Sequence, residues 1–203
     1  MRHLTMLCIL LLGLAFSLPS PAAERIFGLS WQATPAQLRA RGMHLTLRKT
    51  DGRLSMYETR QVPRTLSDAD TYLLVFDRDA GLVKIIMVSR NFTGAHASDE
   101  ARKRFEQLDA LLRERGYSAL ANQQVKQLKP RAGQDFFVCL SMPSCGTWKS
   151  AYRKGHVLVS MQLRGLPDGA GFLVMNFEEQ PQFAQALAKN RKPTAAEKDA
   201  QAF

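Results

Sequence analysis

Apolar positions along this chain follow two periods. Val157, Val159, Met161 and Leu163 recur at every second residue, the spacing of a half-buried strand. Residues 44–49 alternate in the same way. Asp51-Gly52 then supplies a hairpin turn, because both residue types tolerate positive φ, and a return strand runs from Leu54 toward Pro63. Residues 72–76 and 82–88 are almost continuously apolar around the 77–81 connection, which predicts central strands buried on both faces. Residues 26–29, 118–128 and 172–177 read as further strands, the last entered through the turn at 167–171.

The helical period is clearest over 99–115, where Ala101, Phe105, Leu108 and Leu112 form one apolar stripe opposite Arg102, Arg113 and Glu114. Ser98 or Asp99 is the expected cap, and Gly116 the stop. A shorter helix opens at Thr34, with Pro35 in its first turn and Gln37 completing a capping box; Leu38 faces inward and Gly42 ends it. A third spans 181–189 with Phe183 and Leu187 on one face. These elements predict an α+β fold: antiparallel sheet with a short N-terminal helix, one long amphipathic helix and a short C-terminal helix packed on it. Two strand-rich blocks, 24–95 and 96–189, each associated with a helix, hint at an internal duplication, although their residues do not align.

The stretch from Gly133 to Arg164 centres on Cys139 and Cys145. With Phe136, Phe137 and Val138 before them and Met142-Pro143-Ser144 at the apex, they read as a strand, a turn closed by a disulfide, and a strand. Residues 1–23 carry Arg2, an apolar run from Leu4 to Leu18 and small residues at the end, the order of a cleaved signal peptide. The rival reading is a membrane anchor; the run falls short of the roughly 20 residues a span needs. Removal of Cys8 with the leader leaves two cysteines in an oxidising compartment, which agrees with the bridge. A periplasmic location is expected, with residues 24–189 as one domain and a disordered tail from Asn190.

An aromatic-glycine strand (Phe27, Gly28), Trp31, then Thr34-Pro35 with Leu38 and Gly42 resembles the opening of small bacterial periplasmic α+β modules. The outer-membrane assembly lipoproteins and the β-lactamase-inhibitor proteins share it. The resemblance covers residues 24–90 and implies a protein-binding module without chemistry of its own.

Charge sharpens the expectation about partners. Lys and Arg number 28 against 18 Asp and Glu, and losing Arg2 with the leader turns the balance from +10 into +9. In an exported protein this points away from nucleic acid and toward an acidic protein partner, a toxin or an envelope component, or toward anionic lipid or glycan. No catalytic signature is present. His44, His96 and His156 lie apart from other ligand types, so no metal and no cofactor is expected. Glu178 and Glu179, neighbours on a strand, point to opposite faces and cannot share a substrate. Cys139 and Cys145 are spaced unlike a redox pair. Trp148, Lys149, Tyr152, Arg153, Lys154 and His156 remain as a candidate interaction surface of interleaved aromatics and cations. The alternative is that Trp148 and Tyr152 belong to the core and only the cations are exposed. The leading expectation is an inhibitor or immunity protein that masks a partner's active site; an envelope-maintenance factor binding anionic lipid or polysaccharide is the alternative.

Overall fold

A computed structural model describes residues 24–129 and 135–191, so the leader, most of the polar turn before Gly133 and the tail beyond Arg191 lie outside the described residues. In chain order the strands are β1 (Arg25–Ile26), β2 (Leu29–Ser30), β3 (Thr46–Asp51), β4 (Leu54–Thr59), β5 (Ala69–Asp77), β6 (Gly81–Ser89), β7 (Ser118–Ala119), β8 (Val125–Leu128), β9 (Gly146–Lys154), β10 (Val157–Gly165) and β11 (Gly171–Glu179). The helices are α1 (Pro35–Ala40), α2 (Ala97–Glu114), α3 (Phe136–Ser141) and α4 (Gln182–Asn190). The fold is α+β, as the two periods predicted.

One antiparallel sheet organises the molecule. Its order is β3-β4-β5-β6-β11-β10-β9-β7, with β8 also pairing β9. In both halves the chain starts at an outer edge and works inward, so the halves meet where β6 pairs β11. Across the middle of the sheet, successive register partners Tyr152, Val159, Phe177, Ile85, Leu74 and Tyr57 share one face. All of these but Tyr57 are buried. Against that face lie Phe105 and Leu108 of α2, Leu38 of α1 and Phe137 of α3, in a single apolar cluster. The capping box on α1 forms as expected: the Gln37 amide donates to Thr34 Oγ1 at 3.2 Å and the Thr34 amide to Gln37 Oε1 at 2.9 Å. Arg104 anchors α2 from its flank by donating to both oxygens of the buried Asp68 carboxylate, at 2.9 and 2.5 Å.

Several expectations need correction. Residues 26–29 are not one strand: Phe27 and Gly28, at φ 54° and 79°, make the turn between β1 and β2. The strand expected from His44 begins at Thr46. Ser98 and Asp99 lie inside α2, which starts at Ala97 behind His96 without a side-chain cap. Residues 72–76 and 84–88 are fully buried on one face, not two, since Leu73, Val75, Ile86 and Val88 are only half-buried, whereas Leu82 and Val83 at the start of β6 are both buried. Residues 118–128 break into β7, a 3-10 turn at Ala121–Gln123, and β8. Across the gap the Gln124 side-chain amide, at 2.7 Å, and the Leu120 amide, at 2.9 Å, both donate to the Ala151 carbonyl, so a side chain stands in for a rung of the ladder. In α4 the buried residue is Ala186, whereas Leu187 is 48% exposed.

The largest correction concerns the bridged segment. The disulfide between Cys139 and Cys145 forms, with Cα atoms 5.1 Å apart, but Phe136, Phe137 and Val138 are helical. The staple therefore ties the end of α3 to the start of β9 and does not close a hairpin. The strand position beside β9 is taken by β8, with Leu128 opposite Gly146. What holds α3 is a glycine pair in register at the ends of β10 and β11. A Cβ on Gly165 would lie 1.8 Å from the Phe137 carbonyl oxygen, and one on Gly171 2.0 Å from the Phe137 ring. Helix and sheet approach closely only because both positions are bare.

Candidate functional site

The face of the sheet away from α1, α2 and α3 is the surface left available. Register partners again define it. One row runs through Glu58, Leu73, Ile86, Asn176, Ser160 and Ala151, and a second through Thr71, Val88, Val174, Gln162 and Lys149. A third runs through Met56, Val75, Lys84, Glu178, Leu158 and Arg153. Most of these side chains are half-buried. The composition is graded. Leu73, Val75, Ile86, Val88 and Val174 make an apolar centre over β5, β6 and β11. Asn176, Ser160 and Gln162 follow, and Lys149 and Arg153 stand exposed toward the β9 edge. Arg164 lies beside them, its guanidinium 3.4 Å from Gln162 Oε1.

The helix α4 covers one end of this face. Phe183 receives the Lys84 ammonium 4.9 Å from its ring centroid, Lys84 pairs with Glu178 at 2.7 Å, and Asn190 Oδ1 accepts from the Arg53 amide at 2.8 Å in the β3–β4 turn. The Lys84–Glu178 pair is internally neutral, whereas Lys149 and Arg153 have no carboxylate within ion-pair distance among the described residues. The free charge of the face is therefore positive and lies beside its apolar centre. Glu178 and Glu179 do point to opposite faces. Glu179, with Oε2 buried and unpartnered, has its carboxyl pushed above the ordinary 4.5 by burial, partly offset by His156.

The surface expected from sequence is divided by the sheet. Lys149 and Arg153 are on the open face. Tyr152 is buried on the other: its hydroxyl donates to the Asp109 carboxylate and its ring lies 5.8 Å from the Arg113 guanidinium, so it fastens β9 to α2. Burial, and then the bond to Asp109, drive its phenol pKa up. Trp148 is half-buried with its ring centroid 5.4 Å from that of Phe136. Lys154 pairs with Glu24 at 3.1 Å, and His156 is exposed in the β9–β10 turn. Alternation along a strand sends residues 148, 152 and 154 one way and 149 and 153 the other, so the interleaving that made the cluster attractive is what separates it.

Sequence reasoning missed the apolar half of the face. The signal was present: one long amphipathic helix covers one face of a sheet, and no second comparable stripe exists to cover the other. Among the described residues no group of His, Cys, Asp or Glu is arranged to hold a metal ion. No helix among them is long and apolar enough to cross a membrane. No family description, curated protein or solved structure matches this chain.

Proposed function

We propose that this is an exported, non-enzymatic binding protein of the bacterial periplasm that uses the open sheet face to cover the active site of an acidic partner protein, as an inhibitor or immunity protein does. The observation that carries this reading is the graded face itself. A contiguous apolar centre that no long helix covers suits an interaction surface, and cations beside it suit a partner of opposite charge. The rigid sheet also lowers the ordering cost of association. The cationic edge of Lys149, Arg153 and Arg164 favours a second reading, in which anionic lipid or polysaccharide is bound and the role is envelope maintenance.

Capture from periplasmic extract followed by mass spectrometry tests the first reading. A stoichiometric acidic partner is expected with the natural protein and not with Val88→Asp or with Lys149→Glu combined with Arg153→Glu. Equal capture by natural and substituted proteins would count against the open face. Recovery only of anionic glycan or vesicles, in a salt-sensitive manner, would shift the case to the second reading.

A further inference from the structure

On the opposite side of the sheet, α2, the β1–β2 turn and the segment around Arg64 enclose a cleft of about 380 Å³, within the range of small-molecule sites. Its walls are apolar: Phe27, Leu66, Leu111, Leu112 and Phe177 line it. Leu111 is 42% exposed on a helix whose other large apolar residues, Phe105, Leu108 and Leu112, serve the core, and it stands at the cleft. The wall made by Phe27 is fixed. Its backbone lies in the left-handed region at φ 54°, a conformation that is unfavourable for a non-glycine residue. Edge contacts to Tyr72 and Phe177, with ring centroids 5.1 and 5.2 Å away, hold it there. The next residue is wedged in place too, since a Cβ on Gly28 would lie 2.7 Å from Pro63 Cβ.

The rim of this cleft is charged and unbalanced. Glu24 is already engaged, accepting from the Tyr117 hydroxyl at 2.9 Å and pairing with Lys154 at 3.1 Å. Arg25, Arg64 and Arg115 also line the cleft, and no carboxylate among the described residues lies within ion-pair distance of them. An apolar interior beneath uncompensated guanidinium groups matches one chemistry: an acyl chain that ends in an anionic head. We propose that this cleft binds a free medium-chain carboxylate, the chain lying against Phe27, Leu111 and Phe177 and the head meeting Arg64 and Arg115 in charge-assisted hydrogen bonds. The site is separate from the open sheet face and does not depend on any role for it.

Calorimetric titration of the purified protein with monomeric decanoate tests the assignment. One saturable site is expected, weakened at least tenfold by Arg64→Gln combined with Arg115→Gln and, independently, by Leu111→Trp, which fills the mouth from an exposed position. Decan-1-ol, with the same chain and no charge, should bind at least tenfold more weakly. An unchanged thermal unfolding midpoint would show that the variants remain folded. No saturable heat up to about 1 mM decanoate, the weak end of specific affinity, would overturn the proposal. So would affinity indifferent to all the substitutions. Cosedimentation with phosphatidylglycerol vesicles that Leu111→Trp abolishes, in a protein giving no heat with decanoate, would overturn the free ligand in favour of a bilayer.

Discussion

Ile85 and Ile86 are neighbours on β6 with the same side chain and opposite fates. Ile85 is buried beneath the helices, whereas Ile86 is only half-buried on the uncovered face. The same contrast runs the width of the sheet: Leu74 against Leu73 on β5, Met87 against Val88 on β6, Met175 against Val174 on β11. One face is sealed by α1, α2, α3 and the N-terminal hairpin, while the other has α4 at one end. Fully burying such a side chain contributes about 1.5–3 kcal/mol. Those on the open face secure only part of that within the chain, and the remainder is available to a partner. The difference separates residues sealed in the core from residues that keep part of their surface in water.

The contrast is most easily broken at the isoleucine pair. Ile85→Ala should cost about 2–5 kcal/mol of unfolding free energy through lost burial and a cavity, and Ile86→Ala less, about 1–2 kcal/mol, because its partly exposed site leaves no sealed cavity. Equal costs in urea denaturation would refute the two-faced description. Next in size is Asp68→Ala, which leaves the Arg104 guanidinium without its buried carboxylate and should cost about 3 kcal/mol on the helix-covered side. Reducing the Cys139–Cys145 bridge removes a short-loop constraint worth about 2 kcal/mol in the chain-entropy model. Hydrogen exchange should then quicken in α3 before β5 or β6, and partner capture should persist, because the staple is remote from the apolar centre of the open face. Lys149→Glu combined with Arg153→Glu sits at the other extreme: these are exposed positions, so stability should change by less than about 0.5 kcal/mol. Binding should nevertheless be lost.

Glu179 gives the smallest effect and a definite sign. Burial raises its carboxyl pKa above the ordinary 4.5. A folded pKa above the unfolded one means the folded state favours the protonated form, so this contribution to stability is present below about pH 4.5 and fades as pH rises through the shifted value. Glu179→Gln should flatten that part of the stability–pH curve and leave neutral-pH stability equal or higher. Chemical denaturation across pH 4–7 reads it. A steeper curve in the variant would contradict the assignment.

The legible parts of the chain were those with a local cause. Thr34, Pro35 and Gln37 define the start of α1 from within one turn, and Ala101, Phe105, Leu108 and Leu112 define the buried stripe of α2. The strict alternation in β10 reports which side chains are buried, as Val157, Val159, Met161 and Leu163 all are. The cysteine pair indicated its own bond. Readings failed where the cause lay elsewhere in the chain. Phe136, Phe137 and Val138 have strand-like side chains yet form a helix, because Gly165 and Gly171 open a seat for Phe137 and β8 occupies the strand position beside β9. Trp148 and Tyr152 resemble an aromatic hot spot until their face is known.

Periodicity thus determined which elements form and which side of each is apolar, since those properties depend on spacings of two to four residues. It could not determine how many helices would reach a given face of the sheet. That depends on where the halves join, at β6 and β11, and on which chain segments pass over each side. The tertiary structure placed α1, α2 and α3 together on one face and left the other largely bare, and so turned equally apolar neighbours into core on one side and partly exposed surface on the other.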